Sequence, residues 1–210
     1  MRPAAKIAAT LLLAGWLATP VFAQSKGAPN SILVFGGRAT ETIFAQTFYA
    51  PWTVKLNDLG VVGASYSRRL GTVNEVFGDF GIDGIGDDLT IEAEVGGGYR
   101  FGEEELGEVW TALYLRYDGF PWNETVYTTI AFNTGINLLL ETSVFEVERD
   151  SLEPSARLLH YLAPEITIAD PEHKDLELVV RFHHRSNVFG LVDDVSSGST
   201  FISAGIRKRF

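Results

Sequence analysis

The sequence predicts an all-β fold, an eight-stranded antiparallel transmembrane β-barrel, and three observations predict it. Segments in which apolar and polar residues alternate with a period of two recur eight times between Gly-, Pro- and acid-rich breaks, the mark of strands with two chemically different faces. Several reach or exceed the roughly 9–11 residues that a tilted strand needs to cross a bilayer, and their number is even. The last segment runs to a terminal aromatic residue, Phe210.

The chain is expected to be exported. Arg2 and Lys6 precede an apolar run from Ile7 to Trp16, and Val21-Phe22-Ala23 before Gln24 fits the small-residue cleavage pattern of a secretory signal. Residues 1–23 therefore read as a signal peptide and residues 24–210 as the barrel domain. That apolar run is too short for a spanning helix, and no later segment offers eighteen uninterrupted apolar residues. Removing Arg2 and Lys6 with the signal takes the formal net charge from −10 to −12. With no basic stripe to displace phosphate counterions, nucleic acid is not expected as a partner. The chain has no cysteine, which excludes disulfides, thiolate catalysis and Cys-based zinc sites.

Taken in order, the first alternating segment is Ser31 to Arg38 and the second Leu59 to Leu70. The third, Asp88 to Phe101, sets Leu89, Ile91, Ala93 and Val95 against Thr90, Glu92, Glu94 and Gly96. In the fourth, Gly107 to Asp118, Val109, Leu113 and Leu115 oppose Glu108, Trp110 and Arg116. The fifth runs from Thr125 to Ile136 and the sixth from Ala156 to Ile168. The seventh places Leu176, Leu178, Val180, Phe182, His184 and Ser186 on one face, with Glu177, Val179, Arg181, His183 and Arg185 on the other. In the eighth, Ile202, Ala204, Ile206, Lys208 and Phe210 share a face opposite Phe201, Ser203, Arg207 and Arg209. The stem of Lys208 can snorkel to the membrane interface.

Alternation alone also suits a soluble sandwich or a lipocalin-like binder, in which the oily face turns inward. Strand length and number favour the membrane barrel. With both ends periplasmic, the connections 39–58, 102–106, 137–155 and 187–199 face outward, and those at 71–87, 119–123 and 169–173 face the periplasm. Short periplasmic turns are expected. Residues 71–87 are long for one, so a slipped strand there is an open alternative.

His184 and Ser186 stand two apart, so on a strand they project to the same face, the arrangement of a base-activated serine. The competing reading is a polar pair where a lipid-facing strand meets the headgroups. His160 is expected on the same outer face, beside Phe182 and His184. His183 has inward parity and is expected in a lumenal network with Arg181, Arg185, Glu177 and Glu165, since charged side chains fill small barrels. Gly96-Gly97-Gly98 lies within a strand pattern with no helix after it, so it reads as a site of close backbone approach rather than a phosphate loop.

His184-Arg185-Ser186-Asn187, followed by a loop and a last strand closing on Phe, resembles the lipid A 3-O-deacylases, the PagL group of outer-membrane acyloxyacyl hydrolases. Phe120-Pro121-Trp122-Asn123 and Arg157 to Ile166, reading RLLHYLAPEI, also look like members of that broader group, so the resemblance covers the C-terminal half. It implies a barrel in the outer membrane with its catalytic Ser and His on the outside, at outer-leaflet depth. Ser186 would attack the acyl ester at the 3 position of lipid A, and His184 would take its proton. Asn187 and Gly190 correspond to the turn after the serine, where oxyanion-stabilising groups are expected. No metal or organic cofactor is implied. The implied partners are lipid A within lipopolysaccharide, the outer membrane, and the outer-membrane assembly machinery through Phe210. One departure matters. Counted back from the C-terminus, the place of the acid that orients the histidine is Thr200, which has no charge to stabilise an imidazolium. Asp193 and Asp194 in the preceding loop are the carboxylates nearest to substitute. The alternative is a non-catalytic barrel of the same family with a structural or lipid-contact role.

Overall fold

The computed structural model describes residues 28–42, 44–78, 84–149, 156–187 and 198–210; the signal peptide, Gly190, Asp193 and Asp194 lie outside them. Strands β1 (Asn30–Thr40), β2 (Leu56–Thr72), β3 (Leu89–Phe101), β4 (Leu106–Tyr117) and β5 (Tyr127–Leu139) form an antiparallel meander. Next come two short strands, β6 (Leu158–Leu162) and β7 (Glu165–Ala169), then β8 (Leu176–Ser186) and β9 (Gly198–Arg209). β9 returns to pair with β1, from Ser31 opposite Arg209 to Ala39 opposite Phe201, and this closes the barrel. β6 and β7 both lie between β5 and β8 and keep one register with each, so the nine segments fill eight positions.

The interruption of the sixth position has a local cause. Pro164 has no N–H to give to a ladder. There the Asn133 side chain, reaching from β5, accepts from the Ala163 N–H, and the Pro164 carbonyl accepts from Phe182 N at 3.0 Å. The break leaves a lipid-facing notch of about 200 Å³ between Ile130, Phe132, Pro164, Ile166, Val180 and Phe182.

The faces are those expected of a membrane barrel rather than a sandwich. Val34 and Ile206 are each 59% exposed and Phe132 57%, whereas Arg100 and Arg185 are fully buried. Apolar surface on every strand turned to water would be costly, but turned to lipid it is matched. Inside, two charged layers sandwich an aromatic one. Toward the outer end Arg100 bonds Glu104, Glu108 and Glu146. Toward the opposite end Glu165 contacts Arg116, Arg181 and Arg207, and Glu177 contacts Arg207 and Arg209. Between them lie Phe35, Trp110, Tyr161 and Phe201. His183 is inward as expected, but its partners differ. It sits in the aromatic layer, 4.9 Å from the rings of Trp110 and Tyr161, with Nε2 2.6 Å from Glu108 and Nδ1 2.9 Å from the Tyr161 hydroxyl. Glu165 and Glu177 lie lower on the barrel wall and are taken by arginines.

Gly96 bears out the close approach read from the glycine run: a Cβ there would stand 2.3 Å from the Trp110 indole, which fills the space instead. Strand β2 is longer than the sequence pattern suggested and runs on to Thr72. At the start of the long 71–87 connection the strand does slip by one residue, the β2–β3 register shifting between Arg69 and Gly71. A short helix (Val73–Phe77) starts with a capping box: Thr72 Oγ1 accepts from Glu75 N at 3.1 Å, and Glu75 accepts from Thr72 N at 2.7 Å. On the opposite side, residues Phe44–Tyr49 form a helix in the first outer connection and Val144–Arg149 another in the third.

Candidate functional site

Strand parity sets the site on the outside of the barrel. β8 alternates strictly, with Glu177, Val179, Arg181, His183 and Arg185 buried and Leu176, Leu178 and Val180 exposed. His184 and Ser186 continue the exposed face at its outer end, half-buried. Asn187 follows directly, also half-buried; of the oxyanion candidates it alone lies among the described residues.

Each neighbour of this pair comes from a different strand. Thr200 of β9 is directly opposite His184, and its hydroxyl lies 2.8 Å from His184 Nδ1. Thr200 thus occupies the position that an orienting acid would hold, and it is only 3% exposed. With the hydroxyl accepting a hydrogen bond from Nδ1–H, Nε2 would be the basic nitrogen of the ring. No hydrogen bond joins His184 to Ser186 among the described residues, and such bonds commonly tighten only with substrate bound.

Opposite Ser186 stand Gly198 on β9 and His160 on β6. A Cβ at Gly198 would lie 2.3 Å from the Arg185 carbonyl, so only glycine lets β9 run this close beside the serine. His160 was expected beside Phe182 and His184. The register instead pairs it with Ser186 and pairs Leu162 with His184. His160 Nε2 is 2.9 Å from Thr134 Oγ1 on β5.

One contributor was not legible in the sequence. Phe44, on the helix Phe44–Tyr49, stacks on the His184 ring with centroids 4.2 Å apart and planes 13° apart, and meets Phe182 edge-on at 6.2 Å. The first outer connection therefore folds over the imidazole. It has no strand period to mark it, so only its aromatic content could have signalled a role.

Below the pair, Phe182 and Val180 lead down the strand to the apolar notch at Pro164. Chemically the arrangement offers a hydroxyl, an imidazole held at Nδ1 and covered by an aromatic ring, and an apolar track running from them down the outer wall of the barrel. The described residues gather no cluster of His, Asp and Glu suited to a metal ion.

No protein-family model matches this chain, and no curated protein does. Among solved structures it is similar to the outer membrane enzyme PagL, at 12% identity over 86% of this chain and 99% of that one, with a TM-score of 0.58. Neisserial surface protein A also aligns, at 12% identity over 89% and 100% of the two chains with a TM-score of 0.49. Ail, the attachment invasion locus protein of Yersinia pestis, aligns at 13% identity over 87% and 99%, with a TM-score of 0.36. At such identities the likeness concerns architecture alone. The chain has the closed eight-position antiparallel fold of the outer-membrane barrels.

Proposed function

We propose that this protein resides in the bacterial outer membrane and removes an ester-linked acyl chain from lipid A in the outer leaflet, with Ser186 as nucleophile and His184 as its base. The observation that carries this reading is the outward-facing His184–Ser186 pair with His184 Nδ1 held by Thr200. A serine hydrolase acting on a water-soluble ester has no use for a nucleophile on a lipid-facing wall, whereas a membrane lipid reaches it by lateral diffusion. The apolar track through Phe182 to the Pro164 notch supports an acyl chain lying along the barrel below the serine.

In the reaction Ser186 Oγ attacks the ester carbonyl while its proton passes to His184 Nε2. The resulting oxyanion collapses, the sugar oxygen leaves with the proton from His184, and water then frees the acyl chain from Ser186 by the same steps. Phe44 stacking and the Thr200 hydroxyl hold the ring through both halves. The test is refolded protein with lipid A in mixed micelles. One free hydroxy fatty acid per lipid A, and a product lighter by that acyl group, is expected; lipid A left intact on long incubation would sink the proposal.

Thr200 also favours the second reading, a non-catalytic barrel with a lipid-contact role, because its hydroxyl cannot neutralise an imidazolium as a carboxylate does. The two readings separate at this residue. If the hydroxyl orients a working base, Thr200→Val lowers kcat about tenfold, as expected for one lost hydrogen bond of about 1 kcal/mol or slightly more, and leaves KM unchanged. Turnover unaffected by Thr200→Val would argue that His184 is not the base.

A further inference from the structure

We infer that His160 is a second catalytic imidazole, the hydrogen-bond donor to the oxyanion formed when Ser186 is acylated; this rests on Ser186 being the nucleophile. The register puts His160 directly across from Ser186 on the same outward face. Directly opposed residues of an antiparallel pair have Cβ atoms about 4.5–5.5 Å apart, nearer than the two-residue step along β8 that separates His184 from the serine. On its other side Ser186 faces Gly198, which has no side chain. The serine therefore has one imidazole two residues back on its own strand and another directly across on β6.

The two rings are held in the same way and for different ends. Thr200 fixes His184 from β9, and Thr134 fixes His160 from β5, through Nε2 at 2.9 Å. With the Thr134 hydroxyl donating to Nε2, the proton of a neutral His160 resides on Nδ1, which makes that nitrogen a donor and not a base. A fixed N–H beside the serine is the kind of group that stabilises the developing oxyanion. The balance is that of ordinary acyl transfer. The Oγ–C bond forms, the carbonyl electron pair moves to oxygen and is held by His160 Nδ1–H, and the serine proton goes to His184.

A long-chain alkyl fluorophosphonate tests this without any assumption about lipid A. Its capture by Ser186 forms an Oγ–P bond and expels fluoride, and the phosphoryl oxygen takes the place of the oxyanion. Labelling of the purified, micelle-embedded protein is followed by intact mass, with the folded state confirmed by heat-modifiable mobility. His160→Ala is expected to slow labelling of Ser186 about 100-fold. His160→Gln, whose amide still donates, is expected to stay within about tenfold of the unaltered protein, and Thr134→Val, which loosens the ring without removing it, to fall between. The acid limb of the rate profile, which belongs to His184, stays in place in all three. Labelling of His160→Ala at the unaltered rate, with Ser186 and His184 still required, overturns the role of His160 and leaves the proposed function standing. His160→Gln as slow as His160→Ala with a shifted acid limb makes His160 a base and equally overturns it. No labelling of Ser186 in the unaltered protein removes the nucleophile, and both proposals fall together.

Discussion

Ser186→Ala is expected to lower acyl release from lipid A by about 10⁴-fold, His184→Ala by nearly as much, and the double variant by no more than either alone. The non-additivity is the informative part. A nucleophile without its base, and a base without its nucleophile, both leave only binding and oxyanion stabilisation to act. The loss is expected to be smaller than the largest known for serine hydrolases because Thr200 offers His184 Nδ1 a neutral hydroxyl in the place of an orienting acid. Single-turnover release of hydroxy fatty acid from lipid A in micelles measures it. Costs that simply add would mean that the two residues act independently, and the pair would then be two headgroup contacts rather than one catalytic unit.

The second large effect concerns stability. Glu94→Ala is expected to destabilise the barrel by about 3–5 kcal/mol, because it takes from the buried Arg181 one of its two carboxylates, leaving Glu165 alone, and strands the buried donors of Trp110, Ser65 and Ser67. Glu94 is fully buried at the centre of the lumen. One carboxylate oxygen accepts from Arg181 at 2.8 Å, Ser65 at 3.0 Å and Ser67 at 3.2 Å, and the other from Trp110 at 2.9 Å and Arg181 at 3.0 Å. It thereby ties β2, β3, β4 and β8 together across the lumen. Glu105, on an exposed outer connection, is the control, and Glu105→Ala is expected to change stability by less than about 0.5 kcal/mol. Urea unfolding of both variants in phospholipid vesicles compares them. Equal midpoints would mean that the lumenal network fills space without setting stability.

What could be read from the sequence follows from which interactions are local. The period of two is a property of each strand by itself, so the inward set Glu92, Glu94, Glu108 and Arg116 and the outward set Val95, Leu113, Leu115 and Val180 follow from counting alone. The outward parity of His184 and Ser186, and the place of Thr200 beside His184, follow from the same counting once two neighbouring strands are aligned. His160 required the register across a turn. The turn closes through His173 N to Asp170 O at 2.9 Å and Leu176 N to His173 O at 3.1 Å, and this places His160 against Ser186 rather than His184. A shift of one pair changes which residue a side chain can serve. The lumenal partners were not legible, since Arg181 meets Glu94 across the barrel from 87 residues away and no periodicity encodes that choice. Nor was Phe44, because a short helix in a connection carries no alternation to set its direction.

The pattern within the site has a physical logic. β-strand geometry fixes backbone positions to a few tenths of an ångström, so residues on adjacent strands can meet with little cost in ordering. His184, Ser186, Thr200, His160 and Thr134 are all strand residues, whereas Phe44, on a short helix, contributes packing rather than proton transfer. The proposed chemistry rests on the barrel wall, and a helix of the first connection covers it.

The most direct test is the mass spectrum of lipid A from Gram-negative cells expressing the intact chain, set beside cells expressing Ser186→Ala and His184→Ala at matched levels of folded outer-membrane protein. The account predicts that lipid A loses the mass of one hydroxyacyl group in the first cells only. Identical spectra in all three would contradict it and assign the barrel to the non-catalytic reading.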